Sequence, residues 1–300
     1  MYDVLIIGAG TAGLTAAIYT MRAGKTACVI ESNMYGGQIV NSPAVENYPG
    51  FASISGYDYA NQLYEQAKGC GADYVTDNIT SVYRGASSFT AIGVSGKYES
   101  RTLILAIGAK RRKMGVAGED AFSGKGVSYC ATCDGMFFRG KDVAVLGGGN
   151  TAFDDALFLS NYCNSVTILH RRDGFRGEAA KLASLKEREN VRFITDVTVD
   201  EITGDAKVSA IRYTDKKSGE KKELSVDGVF VAIGQEPDTA FLEGVVELDA
   251  AGYIVAGEDC ETNVEGIYAA GDCRTKKIRQ LTTAAADGTV AALAAVTYIE

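Results

Sequence analysis

The feature that most constrains this chain is a repeat. Val4 to Glu31, VLIIGAGTAGLTAAIYTMRAGKTACVIE, aligns without a gap on Val143 to His170, VAVLGGGNTAFDDALFLSNYCNSVTILH, after a shift of 139 residues. Each copy reads as an apolar run of strand length, a glycine turn, a stretch with apolar residues at helical spacing, and a second apolar run. That order is a βαβ opening, and two openings in 300 residues imply two compact units rather than one large domain.

In the first copy Gly8, Gly10 and Gly13 have the spacing that lets a chain turn tightly, approach a diphosphate and pack helix on strand. The helix would then begin at Thr11 and Ala12, whose N–H groups are free to meet phosphate oxygens. Glu31 falls where a carboxylate accepts ribose hydroxyls. In the second copy Gly147, Gly149 and Ala152 cover the three glycines, with Asn150 and Thr151 opening the helix. A lone glycine motif of this kind often serves close packing only, but strand, helix, terminal acid and a second copy together point to dinucleotide binding.

The two copies differ at the position that reads the ribose. Over Glu31 lies His170, followed by Arg171 and Arg172 and, within the same HRRDGFR stretch, Arg176, so the acid is replaced by a group of cations, His170 included, that would bind the coenzyme. An acid there favours a free 2'-hydroxyl and repels a phosphate, whereas clustered arginines grip a 2'-phosphate through charged hydrogen bonds. An isolated basic triplet would read as a solvated strand end; its register against Glu31 assigns it a ligand. The first unit therefore suits FAD and the second NADPH.

Both units close alike, with LILAIGA at Leu103 to Ala109 and VFVAIGQ at Val229 to Gln235. Strand-rich stretches from Tyr74 to Glu99 and from Val191 to Leu224 read as small meanders. The tail is too short for a third unit, but its strand-turn at Gly266 to Asp272 and helix candidate at Thr283 to Thr297 would complete the first. The expected fold class is α/β, with two Rossmann-like nucleotide-binding domains, the second inserted into the first. Residues 1–112 and 238–300 would form the FAD-binding domain and 113–237 the NADPH-binding domain. Two crossings, near 110–118 and 234–241, would then make a hinge.

The balance of 30 basic and 38 acidic residues gives a net charge of -8. Basic runs are confined to Lys110 to Lys113, His170 to Arg172 and Lys276 to Arg279, which argues against nucleic acid and anionic membrane as partners. No window approaches 18 apolar residues, and a strand-like run from Tyr2 leaves no room for a leader, so a cytoplasmic setting is expected. With His170 alone and one CxxC, no four-ligand metal site is expected either.

Of seven cysteines only Cys130 and Cys133 are spaced to act together, and Asp134 follows them. In a chain of this kind the spacing means redox chemistry or half a zinc site, and the zinc reading lacks its other half. A nicotinamide feeding a flavin, and a flavin feeding a disulfide, makes a coherent sequence in which Asp134 could move a proton.

At this point the chain resembles the low-molecular-weight thioredoxin reductases, a branch of the pyridine nucleotide-disulfide oxidoreductases. GAGTAG, the Gly36 to Gln38 GGQ, the Glu46 to Gly50 ENYPG, CATCDG, GGGNTA, HRRDGFR, the Ala269 to Cys273 AAGDC and the Arg279–Gln280 pair follow that family's order over nearly the whole chain. The resemblance implies an FAD site including Gly37, Gln38, Asn47, Asp272, Arg279 and Gln280, with Asp272 on the ribityl chain and Gln280 by the flavin. It further implies that Cys133 faces the flavin, that Cys130 attacks a thioredoxin disulfide, that Asp134 acts as acid and base, and that the protein is a homodimer. Departures are the KRRK at 110–113 with Ala117 in the connector, and Asp154 with Asp155 where paired glutamates are usual. Two other readings remain: a disulfide reductase fed by ferredoxin or a reduced flavoprotein, and a flavin redox sensor without turnover.

Overall fold

The first strand, Tyr2–Ile7, is apolar on both sides because both of its faces are covered. Leu5 and Ile7 join Leu103, Leu105, Phe89, Leu242 and Ile254 on one face, while Val4 and Ile6 join Ile104, Leu14 and Ala291 on the other. Alternation along a strand thus feeds two cores at once, each fully buried aliphatic side chain contributing about 1.5–3 kcal/mol. The structure, a computed structural model, describes residues 1–42 and 44–300. These divide into two units, Met1–Lys110 with Glu236–Glu300, and Arg111–Gln235.

In the first unit Tyr2–Ile7 runs parallel to Ala27–Glu31 and to Lys97–Leu105, and Asp73–Thr76 adds parallel to Ala27–Glu31. The nine-residue strand Lys97–Leu105 is long enough for two neighbours in succession, antiparallel Phe89–Gly93 near its start and parallel Ile267–Ala269 at its end. Its helix Thr11–Arg22 packs closely on Leu281–Tyr298, where a Cβ on Gly288 would fall 2.2 Å from the Ala12 carbonyl. Without a side chain at Gly288 the two backbones can meet.

The second unit repeats the plan. Asp142–Leu146, Ser165–Leu169, Val191–Ile194, Gly228–Val231 and Val127–Ser128 form one parallel sheet, in the order 191–194, 165–169, 142–146, 228–231, 127–128. The helix Asn150–Leu159 covers one face through Ala152, Phe153, Ala156 and Leu159. A three-stranded antiparallel sheet, Val197–Gly204, Val208–Asp215 and Lys221–Ser225, supplies the other core with Val199, Ile202 and Ile211.

Both expected meanders start one strand too early. Tyr74 and Val191 lie in four-residue strands of the parallel sheets, and the antiparallel pairing begins only at Ile79 and Val197. A strand of four residues carries no period that separates parallel from antiparallel pairing. Among the described residues no helix is long and apolar enough to cross a membrane.

Candidate active site

In the first unit the glycine turn divides its work by position. A Cβ on Gly8 (φ 105°) would lie 2.3 Å from the Ala106 carbonyl oxygen, and one on Gly13 would lie 1.9 Å from that of Gly8. Gly10 has nothing within 4 Å of its missing Cβ, so it faces open space at the mouth of the helix. Gly10 is also the N-cap of Thr11–Arg22, which has neither a side-chain cap nor an acid in its first turn, leaving its terminal amides for an anion. Glu31 closes the turn from the neighbouring strand: Oε2 accepts from Ala9 N–H at 2.9 Å and Oε1 from Asn33 N–H at 3.1 Å.

The remaining expected residues of this unit gather by pairs. Gly36 donates its N–H to the Ala9 carbonyl at 2.7 Å, and a Cβ on Gly37 would stand 3.5 Å from Gly10 Cα, so this loop sits on the turn. The Gln38 side-chain amide donates to the Ala109 carbonyl. Asn47 Nδ2 donates to Gln280 Oε1 at 3.3 Å, and Gln280 is the N-cap of Leu281–Tyr298 in a reciprocal capping box with Thr283. Arg279 donates through Nε to the Asp272 carbonyl at 3.2 Å and stacks its guanidinium over Tyr253 at 4.2 Å. The Asp272 turn adjoins the first helix, since a Cβ on the preceding Gly271 would lie 3.0 Å from Ala12 Cβ.

One residue behind this turn escaped the sequence reading. Asp287, 5% exposed, accepts from Gly271 N–H at 2.9 Å, from Arg274 Nε and Nη2 at 2.9 and 2.8 Å, and from Lys276 Nζ at 2.7 Å. Burial opposes its ionisation, but Arg274, Lys276 and the Gly271 amide outweigh it and hold the carboxyl below its usual range.

In the second unit a Cβ on Gly147 would lie 2.4 Å from the Ala232 carbonyl oxygen, while Gly149, the N-cap of Asn150–Leu159, is again open and uncapped by a side chain. The HRRDGFR loop folds onto this turn, with Arg176 and Gly177 N–H both donating to the Gly148 carbonyl, at 2.9 and 3.2 Å. Arg171, Arg172 and Arg176 are exposed, and among the described residues no carboxylate pairs with any of them. Asn150 is engaged with Glu178, donating at 3.1 Å and accepting its N–H at 2.7 Å, and Thr151 is exposed.

His170 does not belong with the cations. It is 7% exposed, stacks on Phe175 at 5.2 Å, and lies where a Cβ on Gly148 would meet its Nδ1 at 2.3 Å. Burial first, then the three arginines, lower its pKa, and Nε2 has no hydrogen-bond partner among the described residues. It is a neutral ring under the glycine turn, and the positive charge is carried by the arginines alone.

The dithiol lies at the carboxyl end of the edge strand Val127–Ser128 of that parallel sheet. Cys130 and Cys133 are joined in a disulfide with Cα atoms 5.3 Å apart. The short helix Ala131–Asp134 starts from Cys130, whose carbonyl accepts from Cys133 and Asp134 N–H at 3.2 and 3.1 Å. Cys133 is exposed and Cys130 partly so, with Thr132 Oγ1 3.4 Å from Cys130 Sγ, and the exposed Met136 and Phe137 follow. Asp134 accepts from the Ser128 hydroxyl at 2.6 Å.

Two ionisable groups back this segment. Burial pushes Asp155 up to about 7, with Asp154 adding and the Ala131 N–H subtracting. Burial also raises Tyr162, whose hydroxyl lies where a Cβ on Gly135 would come within 2.1 Å. Neither Ser128 nor Tyr162 stands out in the sequence, where each is one more polar residue beside an apolar run. Elsewhere, burial pushes the thiols of Cys28 and Cys163 up to about 11 and those of Cys260 and Cys273 to about 12, which keeps them protonated and unreactive at neutral pH.

Comparison with known proteins agrees with this geometry. The sequence profile of the family described as pyridine nucleotide-disulphide oxidoreductase matches residues 2–288. The chain is 45% identical over 300 residues to thioredoxin reductase of Treponema pallidum (strain Nichols), covering 100% of this chain and 97% of that protein. It is 43% identical over 301 residues to that of Bacillus subtilis (strain 168), covering 100% and 95%. Among solved structures, thioredoxin reductase from Streptococcus pyogenes MGAS5005 superposes with a TM-score of 0.95 at 37% identity, covering 100% of this chain and 98% of that one. Lactococcus lactis thioredoxin reductase in its "FR conformation" has the same 37% identity and a TM-score of 0.69, covering 100% and 99%. By profile, sequence and fold together, this chain belongs to the pyridine nucleotide-disulphide oxidoreductase family.

Proposed function

We propose that the protein is an NADPH-dependent thioredoxin-disulfide reductase that uses FAD and the Cys130–Cys133 disulfide. The observation that carries this reading is an accessible CxxC disulfide in the same unit as a glycine turn on which a loop folds whose three exposed arginines have no carboxylate partner among the described residues. A reductase fed by ferredoxin, or a sensor without turnover, would have no use for those arginines.

Residues 1–112 and 238–300 would form the FAD domain and 113–237 the NADPH domain. The open Gly10 cradle, the uncapped amides at Thr11, Ala12 and Gly13, and Glu31 at the strand end fit a diphosphate and an unphosphorylated ribose. Gly37, Gln38, Asn47, Asp272, Arg279 and Gln280 would hold the rest of FAD. Gly149, Asn150 and Thr151 would hold the NADPH diphosphate, and Arg171, Arg172 and Arg176 its 2'-phosphate. A bound flavin supplies a two-electron acceptor for nicotinamide hydride and a donor to the disulfide.

The protein's own part begins once Cys130 and Cys133 are reduced. Cys130, as thiolate, attacks the thioredoxin disulfide and forms a mixed disulfide, and the departing thioredoxin sulfur takes a proton from Asp134. Cys133 then attacks Cys130 Sγ, the intermolecular bond breaks, and the second thioredoxin sulfur is protonated. Net, NADPH, one proton and thioredoxin disulfide give NADP and thioredoxin dithiol. A homodimer and a cytoplasmic setting, without nucleic acid or membrane partners, complete the reading; the net charge of -8 supports the exclusion of polyanions.

The test uses the FAD-loaded protein with either cysteine replaced by serine. Reduction of thioredoxin should be lost in both variants, while bleaching of the flavin by NADPH persists. With Cys133 removed, Cys130 should trap a mixed disulfide with thioredoxin. A folded Cys130→Ser protein that still reduces thioredoxin would reject the assignment.

A further inference from the structure

We propose that Ser128 is a positioning residue of the dithiol centre, tying the Asp134 carboxyl to the backbone amide of Cys130 through one hydroxyl. The proposal rests on the reading of Asp134 as the acid and base. Ser128 is 4% exposed and is held by the sheet, its strand pairing in register with Phe230 of Gly228–Val231. Its side chain therefore starts from a fixed backbone two residues before Cys130.

A serine hydroxyl has one proton to give and two lone pairs to receive. Here Oγ accepts from Cys130 N–H at 3.1 Å and stands 2.6 Å from Asp134 Oδ2 and 3.4 Å from the Cys130 carbonyl. The 2.6 Å separation is that of a hydroxyl donating to a carboxylate, so the hydroxyl proton serves Asp134 while Asp134 is ionised. When Asp134 holds a proton, that proton can be donated back to Oγ, and the serine proton turns toward the Cys130 carbonyl. Both protonation states of Asp134 are satisfied by rotation of one hydroxyl. The amide of Cys130 keeps its partner throughout. Alanine would remove both links and leave the Asp134 carboxyl free to leave the dithiol, whereas threonine would keep the hydroxyl.

The experiment compares Ser128→Ala, Ser128→Thr, Asp134→Asn and the double variant Ser128→Ala with Asp134→Asn, all loaded with FAD. Two rates are read: flavin bleaching by NADPH, and kcat and KM for thioredoxin disulfide. Ser128→Ala is expected to lower kcat for thioredoxin about tenfold, a part of the range for general acid-base catalysis, with KM and flavin bleaching unchanged. Ser128→Thr should retain most of the rate. In the Asp134→Asn background, Ser128→Ala should cost less than about twofold, because the group it positions is already disabled. An equal loss from Ser128→Ala in both backgrounds would overturn the proposal, since the serine would then act without Asp134. If Asp134→Asn itself left thioredoxin reduction at the parent rate, the acid-base reading would fail first, and the proposal with it.

Discussion

The Asp287 carboxylate holds the Gly271 amide at 2.9 Å, one residue before Asp272 in the turn assigned to FAD. It is also the anion between Arg274 and Lys276, so a single side chain orients the turn and pairs with two buried cationic side chains, with Glu258 a second partner of Arg274. Asp287→Ala should therefore cost about 3–5 kcal/mol, the range for breaking a buried pair from one side. Retained FAD should fall with it. Loss of flavin on gel filtration and a lowered unfolding midpoint check this; full retention of both would show that the cluster does not support the turn.

Coenzyme choice should rest on Arg171, Arg172 and Arg176, which have no carboxylate partner among the described residues and lie on the loop folded over Gly148. Replacing Arg171 and Arg172 by glutamine should raise KM for NADPH far more than for NADH. Each lost charged hydrogen bond should cost about 1.5–3 kcal/mol. His170→Asn should change the coenzyme preference little, since its ring is neutral and faces Phe175. Steady-state rates with both coenzymes decide it: a parent protein that uses them equally well would sink the assignment.

What was legible in the sequence depended on whether its meaning was local. The two glycine turns and the CxxC are each contiguous in the chain, and at Gly8 (φ 105°) and Gly13 a Cβ would collide with backbone, so these patterns can be seen without the fold. His170 misled because its register over Glu31 fixed where it stands but not which way its ring turns; only packing against Gly148 and Phe175 shows that. Asp287 and Ser128 were invisible because their partners, Gly271 and Asp134, are defined by the fold and not by a motif. The meander boundaries failed for want of length in Asp73–Thr76 and Val191–Ile194.

Asp155 gives the protein a pH dependence with a definite sign. Its carboxyl lies at about 7 in the folded chain against 3.8 ordinarily, chiefly through burial. Between those values the folded chain keeps a proton that the unfolded chain has released, so stability falls as pH rises through this window. The contribution is fully favourable below about 4 and fully lost above about 7, and its ceiling is roughly 4 kcal/mol at 1.36 kcal/mol per unit. Asp155→Asn should remove this slope. Urea midpoints at pH 5 and pH 8 measure it; parallel losses in parent and variant would place the slope elsewhere.

Turnover itself should require the two units to move. The turn assigned to NADPH, Gly147 to Ala152, and the disulfide Cys130–Cys133 belong to one unit, Arg111–Gln235, while the turn assigned to FAD belongs to the other. Electron donor and acceptor thus hang from one body, and both must reach one flavin ring. Within that body they lie on separate elements, the helix mouth at Gly149 and the segment after Val127–Ser128. Unless the disulfide took the opposite face of the ring, one arrangement could not present both, so the units should alternate about the crossings near 110–118 and 234–241. A crosslink between the two units should lock one arrangement and leave one half-reaction fast: flavin bleaching by NADPH, or reoxidation through the disulfide. Stopped-flow spectra of the crosslinked protein, before and after the crosslink is reduced, make the comparison. Multiple turnovers at the parent rate with the crosslink intact would show that no such motion is needed.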